Sequence, residues 1–266
     1  MESSGHWYTK EGKSAHTQPT KKGAKNPERA TTIADARRLG LLPSVTSILK
    51  VVYNPPLERW KMGKVIEACV ANPIGGLDLD TYKAKIMDCA FDEATDAADL
   101  GTRIHANIEA YLKSEPMPHF DDVDLAVDAI KKLEELQLRV VESEFVAINR
   151  DWGYAGKADL AFTRGEQCGI LDFKSTKTVD GEPVLQKFGH AAQIAAYHSV
   201  YWLEGGGTFR DNHIGYNIYI STTEPGRIDV VEYDHATLQA EYEMFISALR
   251  IWKHKNAYDP AISLFA

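Results

Sequence analysis

The sequence predicts an α/β protein built as a single domain, with a mixed central β-sheet flanked by helices. Three observations lead there. Apolar residues recur at helical spacing over Asp88 to Leu112 and again from Asp234 to Trp252; three β-type segments follow one another between Leu138 and Lys174; and a helical stretch, Phe188 to Trp202, separates these from two further strands. The order of helix, helix, three strands, helix, two strands, helix suggests one sheet covered by helices.

The elements are justified in chain order. Residues 1 to 40 are rich in Lys, Gly, Thr and Pro without clear periodicity and read as a basic, partly ordered arm that packs on the main body, residues 41 to 266. In Leu41 to Leu49, Ser44 is placed to cap a following helix. Asn54-Pro55-Pro56 marks a break, after which Leu57 to Val70 reads as a helix containing Trp60. From Asp88 to Leu112, Phe91, Ala94, Ala97, Gly101, Ile104, Ile108 and Tyr111 return every three or four positions, the pattern of a buried helical face. A further helix is expected from Val123 to Gln137.

Leu138 to Ile148 and Tyr154 to Thr163 are β-type and flank Asn149-Arg150-Asp151-Trp152-Gly153, a hairpin turn by composition. Gly169 to Lys174 follows at a second tight turn, Arg164-Gly165-Glu166. After the Phe188 to Trp202 helix, His213 to Ile220 alternates Ile214, Tyr216, Ile218 and Ile220 on one face, and Arg227 to Tyr233 pairs back across Glu224-Pro225-Gly226. Asp234 is a good N-cap for a last helix with Leu238, Tyr242, Phe245, Leu249 and Trp252 as its core stripe.

Composition narrows the function classes. At 266 residues, 44% hydrophobic and 10% aromatic, the chain has material for a sizeable core. No apolar run approaches the roughly 20 residues that span a bilayer, and the N-terminus lacks a signal peptide's apolar segment, so a cytoplasmic protein without membrane contact is expected. Cys69, Cys89 and Cys168 are odd in number and far apart, which argues against a disulfide framework or a zinc cage. Any metal then falls to oxygen and imidazole ligands. Net charge is −8, but residues 1 to 40 hold eight Lys/Arg against four Asp/Glu, leaving −12 for the rest. An acidic total is compatible with a nucleic-acid enzyme whose carboxylates hold cations, because a bound divalent ion reverses the local field.

The chemistry concentrates on the third strand. Alternation puts Asp172 and Lys174 on one face, roughly 7 Å apart along the strand. Alone, such a D-x-K is commonly an ion pair. One strand earlier, Gly156-Lys157-Ala158-Asp159 brings a second carboxylate toward the same strand ends. Neighbouring carboxylates repel unless one takes up a proton or a hard divalent cation accepts both.

These residues resemble the PD-(D/E)XK nuclease superfamily, in particular its RecB-like and phage-exonuclease branch. The resemblance spans residues 101 to 197 in the family's order: Gly101 to His105 for the helical G-x-x-x-H element, an acidic strand with Glu142 and Glu144, Gly156 to Asp159 for G-x-x-D, Asp172-Phe173-Lys174 for D-x-K, and Gln193 to Tyr197 for the Q-x-x-x-Y helix. Pro43 to Ser47 is similar to a segment preceding the nuclease core in phage-type and mitochondrial genome-maintenance exonucleases.

The resemblance implies a restriction-endonuclease-like core and a DNA-cutting enzyme dependent on Mg²⁺ or Mn²⁺, more an exonuclease than an endonuclease, acting in recombination, repair or replication. By it, Asp159 and Asp172 are metal ligands together with the carbonyl of Phe173 and with His105, and Lys174 orients or deprotonates the attacking water. Gln193 and Tyr197, four apart on a helix and continued by His190 and Tyr201, either border the substrate or pack locally. Glu144 is either a supporting acid or a partner for a nearby lysine, and Ser175 and Thr176 either contact phosphate or serve a turn. Four-cysteine relatives carry an iron-sulfur cluster; three cysteines without that spacing predict none here. A homo-oligomer or a phage recombination or replication partner stays open. So does the alternative of a nuclease scaffold that binds nucleic acid or assembles without cutting, and a chance motif series whose acids form structural ion pairs.

Overall fold

In the computed structural model, described over residues 5–21 and 25–261, the chain forms β1 (Trp7–Tyr8), β2 (Thr17–Pro19), β3 (Glu28–Ala30), α1 (Ile33–Leu39), β4 (Leu42–Pro43), α2 (Val45–Leu49), α3 (Pro55–Ala71), α4 (Leu79–Leu112), α5 (Val123–Glu135), β5 (Arg139–Asn149), β6 (Tyr154–Arg164), β7 (Gln167–Thr176), α6 (His190–Trp202), β8 (His213–Ser221), β9 (Ile228–Tyr233) and α7 (His235–Lys255). Positions 1–4 and 22–24 of the basic arm lie outside the described residues.

Strands β5 to β9 make a five-stranded sheet in sequence order. β7 and β8 run parallel and the other pairs antiparallel. Connection length explains the mixture: short turns can only reverse the chain, whereas α6 carries it from the end of β7 back to the start of β8. The sheet is mixed and flanked by helices, as the sequence predicts.

Each face of the sheet meets its own helical layer. On one side Ile104 and Ile108 of α4 and Ala126, Ala129 and Leu133 of α5 pack on Leu160, Phe162, Leu171, Phe173 and the Ile214, Tyr216, Ile218, Ile220 row of β8. On the other, α2, α6 and α7 bring Val45, Ile48, Ala192, Ala195, Leu238, Phe245, Leu249 and Trp252 against Ala158, Ala161 and Ile170. The alanines of α6 let its backbone lie close to the sheet. Gly215 of β8 has the same cause, since a Cβ there would stand 2.7 Å from Ile194.

Two parts of the chain differ from the sequence reading, besides the short strands β1 to β4 that it does not predict. α4 begins at Leu79 rather than Asp88, capped by Asp78, whose carboxylate accepts from the N–H groups of Asp80 and Thr81. The apolar contacts of its first half are with α3, through a small cluster around Ala68, Ile86 and Ala90, so little apolar periodicity marks it. Within residues 5–40 the chain also forms α1, closed by a Thr32–Asp35 capping box, and buries Trp7 in the α2–α6–α7 layer. Seven residues are too short for periodicity to register there. Among the described residues no helix is long and apolar enough to cross a membrane.

Candidate active site

The site begins with a parting of two strands. The β6–β7 ladder runs from Arg164↔Gln167 to Leu160↔Leu171 and stops, although β7 continues beside β8 as far as Thr176↔Ser221. Asp159 and Asp172, next in register, flank the opening. The Phe173 N–H, which a continuing ladder would have used, donates instead to Asp159 Oδ2 at 2.7 Å. A backbone donor thereby stays satisfied while the strands separate.

Groups from both faces of the sheet meet at this opening. From the α4 side comes His105, whose Nε2 lies 3.1 Å from the Phe173 carbonyl oxygen and whose Nδ1 lies 3.4 Å from Asp159 Oδ1. From the α6 side, Lys174 Nζ sits 2.6 Å from Asp172 Oδ2 and donates to Gln193 Oε1 at 3.3 Å. Gln193 in turn donates to the Tyr197 hydroxyl at 3.3 Å. Gly101 brings α4 against the end of β7, where a Cβ would be 3.0 Å from Ser175 Oγ; a Cβ on Gly156 would be 2.6 Å from the Tyr197 ring. These two glycines are spaces that the site's other residues fill.

Glu144 completes the inner group. One ligand atom each from His105, Glu144 and Asp159 lies within 4.8 Å of the others. The Glu144 backbone sits at φ 54°, in the left-handed region, where a non-glycine residue inside a strand carries strain of order 1–3 kcal/mol. That conformation breaks strand alternation, so Glu142 and Glu144 do not share a face as the sequence reading has it. Glu142 instead accepts from Tyr201 at 2.9 Å, while Glu144 pairs with Lys157 beside the opening.

Asp172 stands outside this three-ligand group. Both of its side-chain bonds, from Lys174 and from Asn217 Nδ2 at 3.0 Å, fall on Oδ2. Asn217 was not singled out from sequence. It is fully buried, directly opposite Asp172 in the parallel register, and takes a bond from Tyr233 at 2.8 Å. Its signal lies in the strand alternation: Asn217 is a central polar residue on the face opposite the apolar row of β8.

A cleft of about 510 Å³ opens over the group, lined by Gly101, Thr102, His105, Glu109, Glu144, Lys157, Asp159, Asp172, Phe173, Lys174, Ser175 and Gln193 among others. Thr176 and Tyr197 do not line it. Thr176 donates its hydroxyl to the Lys177 carbonyl at the end of β7, and Tyr197 is buried beneath Gln193. His190 and Tyr201, at either end of the α6 stripe, also belong elsewhere: His190 bonds Tyr219 at 2.9 Å, and Tyr201 bonds Glu142.

The charges explain the protonation states. Burial opposes charge on His105, but Asp159, with Asp172 and Glu144 behind it, outweighs burial and lifts the imidazole to about 9. Burial raises Asp172 to about 6, with the neighbouring Asp159 adding to the rise and Lys174 working against it. Burial likewise raises Glu144 above the ordinary carboxylate range. For Asp159, burial is outweighed by His105 and Lys174, and its carboxyl is held below that range. Lys174 is kept cationic by the two aspartates despite its burial. Two carboxylates and an imidazole at this separation, with a backbone carbonyl at hand, form a donor set able to hold a divalent cation.

No family model matches the sequence, and no curated protein matches it. Among solved structures, the chain is similar to a candidate exonuclease from Eubacterium rectale at 14% identity, over 60% of this chain and 68% of that one, with a TM-score of 0.40. It is also similar to a protein designated SSO0001 at 18% identity, over 73% of this chain and 86% of that one, with a TM-score of 0.29. Similarity at this level carries no weight for function, which rests on the geometry of the site.

Proposed function

We propose that the chain is a deoxyribonuclease dependent on Mg²⁺ or Mn²⁺, hydrolysing phosphodiester bonds in DNA and acting from strand ends. In this reading residues 41 to 266 are the nuclease domain, residues 1 to 40 a basic arm, and the enzyme works in the cytoplasm in recombination, repair or replication. The observation that carries it is the approach of His105, Glu144 and Asp159 within 4.8 Å of one another, beside Asp172 and Lys174 in one open cleft.

His105, Glu144 and Asp159 would hold the ion, with Asp172 Oδ1 and the Phe173 carbonyl oxygen beside them. A divalent ion there supplies Lewis-acid stabilisation of the charge that builds at the phosphate. Lys174, fixed between Asp172 and Gln193, donates toward the attacking water and aligns it. Asp172 holds that ammonium in place through Oδ2. Gln193 from the α6 side and the Ser175 hydroxyl from the α4 side offer hydrogen bonds to phosphate oxygens. Hydrolysis joins the water oxygen to phosphorus, and the departing sugar oxygen leaves with a proton.

The test is degradation of end-labelled linear DNA, single- and double-stranded, against closed circles, with EDTA, Mg²⁺ or Mn²⁺. Linear substrates are expected to be shortened only with metal, and Asp159→Asn or Lys174→Ala to lower the rate by roughly 10²–10⁴-fold. An inert wild-type protein on every substrate would sink the enzyme reading. Cutting of circles at the same rate would overturn end dependence alone.

A further inference from the structure

Strand alternation places Lys157 two residues before Asp159 on β6, and helical spacing places Glu109 one turn after His105 on α4. Each element thus delivers a pair of polar groups to the cleft. The inner members, His105 and Asp159, meet Glu144 in the three-ligand group. The outer members meet each other: Lys157 Nζ lies 3.9 Å from Glu109 Oε2 and forms a close ion pair with Glu144 Oε2.

Glu144 is therefore shared between a group able to hold a divalent ion and an ammonium. In phosphoryl-transfer sites with two ions, the ions sit roughly 3.5–4 Å apart. Here the outer place, between Glu109 and Glu144, is filled by a side chain of the protein itself. A lysine there repels a second divalent ion and takes the Glu144 oxygen that would hold it, while Lys113 pairs with the other oxygen of Glu109. The same ion pair restrains Glu144, whose backbone is in the left-handed region at φ 54°.

We propose that Lys157 stands in the place of a second divalent cation, so that the chain binds a single ion between His105, Glu144 and Asp159. This rests on the metal-dependent reading above. Lys157 is then a positioning residue acting through Glu144, and it sets the number of ions in the site.

The experiment is Mn²⁺ binding to the full chain, followed by calorimetry and by electron paramagnetic resonance, with thermal unfolding checked for every variant. The wild type is expected to take up about one ion per chain with the spectrum of an isolated Mn²⁺. Lys157→Ala, and Lys157→Gln as the variant that keeps the stem, should take up about two and show the broadening of a coupled pair. Lys157→Arg should stay with the wild type, and Glu109→Gln added to Lys157→Ala should remove the second ion. Two ions in the wild type, or one ion in both neutral variants, overturns the proposal while leaving the metal reading standing. No ion in the wild type overturns the metal reading itself.

Discussion

Asn217 and His105 show how single residues govern the site. Asn217 uses its amide to bond Asp172 on one side and Tyr233 on the other, with no solvent to replace either contact. Asn217→Ala is expected to cost about 1–3 kcal/mol, because buried polar partners are left unpaired. Urea unfolding of the metal-free protein measures this, and a change within error would show that the pair is satisfied otherwise. His105 gives a pH signature. Its folded value of about 9 lies above the ordinary 6.5, so its contribution to stability is fully present below about 6.5 and is lost as pH rises through about 9. Unfolding in EDTA across that window should show His105→Gln losing this part of the slope. An equal slope in both proteins would assign the titration to another group. Because the imidazole must give up a proton to become a ligand, Mn²⁺ binding below pH 9 should release protons, an effect visible in buffers of different ionisation enthalpy.

At the scale of elements, the motif residues prove to be contact pairs. Gly156 on β6 makes room for the Tyr197 ring on α6, and Gly101 on α4 makes room for Ser175 on β7. The G-x-x-D and Q-x-x-x-Y segments are thus two sides of one packing arrangement that holds Gln193 over the cleft. Gly156→Ala would put its Cβ 2.6 Å from the ring, which must shift or distort the strand. The expected loss is about 1–3 kcal/mol of stability, together with reduced activity through a displaced Gln193. Thermal unfolding checks the first, and an unchanged midpoint would mean that the ring yields freely. The long helices were legible because Ile104 and Ile108 of α4 and the apolar stripe of α7 face the core, although Ala94, Ala97 and Tyr111, at the same spacing on α4, are exposed. The first half of α4 was not, because its apolar contacts are confined to a small cluster with α3, and α1 was not, because it is short.

For the whole molecule, a net charge of −8 must be reconciled with the polyanionic substrate proposed above. The cleft itself gathers Glu109, Glu144, Asp159 and Asp172 against His105, Lys157 and Lys174. DNA affinity should accordingly depend on a divalent ion and not only on basic side chains. Fluorescence anisotropy with Ca²⁺, a hard ion offering the same charge, is expected to show tighter binding than in EDTA at equal ionic strength. Equal affinities would place DNA away from the acidic cleft.

The amino-acid sequence by itself determined the α/β class and the chain order of the elements, since periodicity is a property of the chain alone; Asp159, Asp172 and Lys174 were candidates by their spacing on neighbouring strands, and His105 and Gln193 by resemblance to a family's motif order. The tertiary structure decided how they meet. Only the parting of β6 from β7 lets His105 on one face approach the same opening as Lys174 and Gln193 on the other. Only the left-handed backbone at Glu144 turns that acid away from Glu142 and toward Asp159. Only the parallel register brings Asn217 to Asp172. Each depends on where a ladder ends, where alternation breaks or which strand lies alongside, and these follow from the packing of distant segments rather than from the spacing of neighbours.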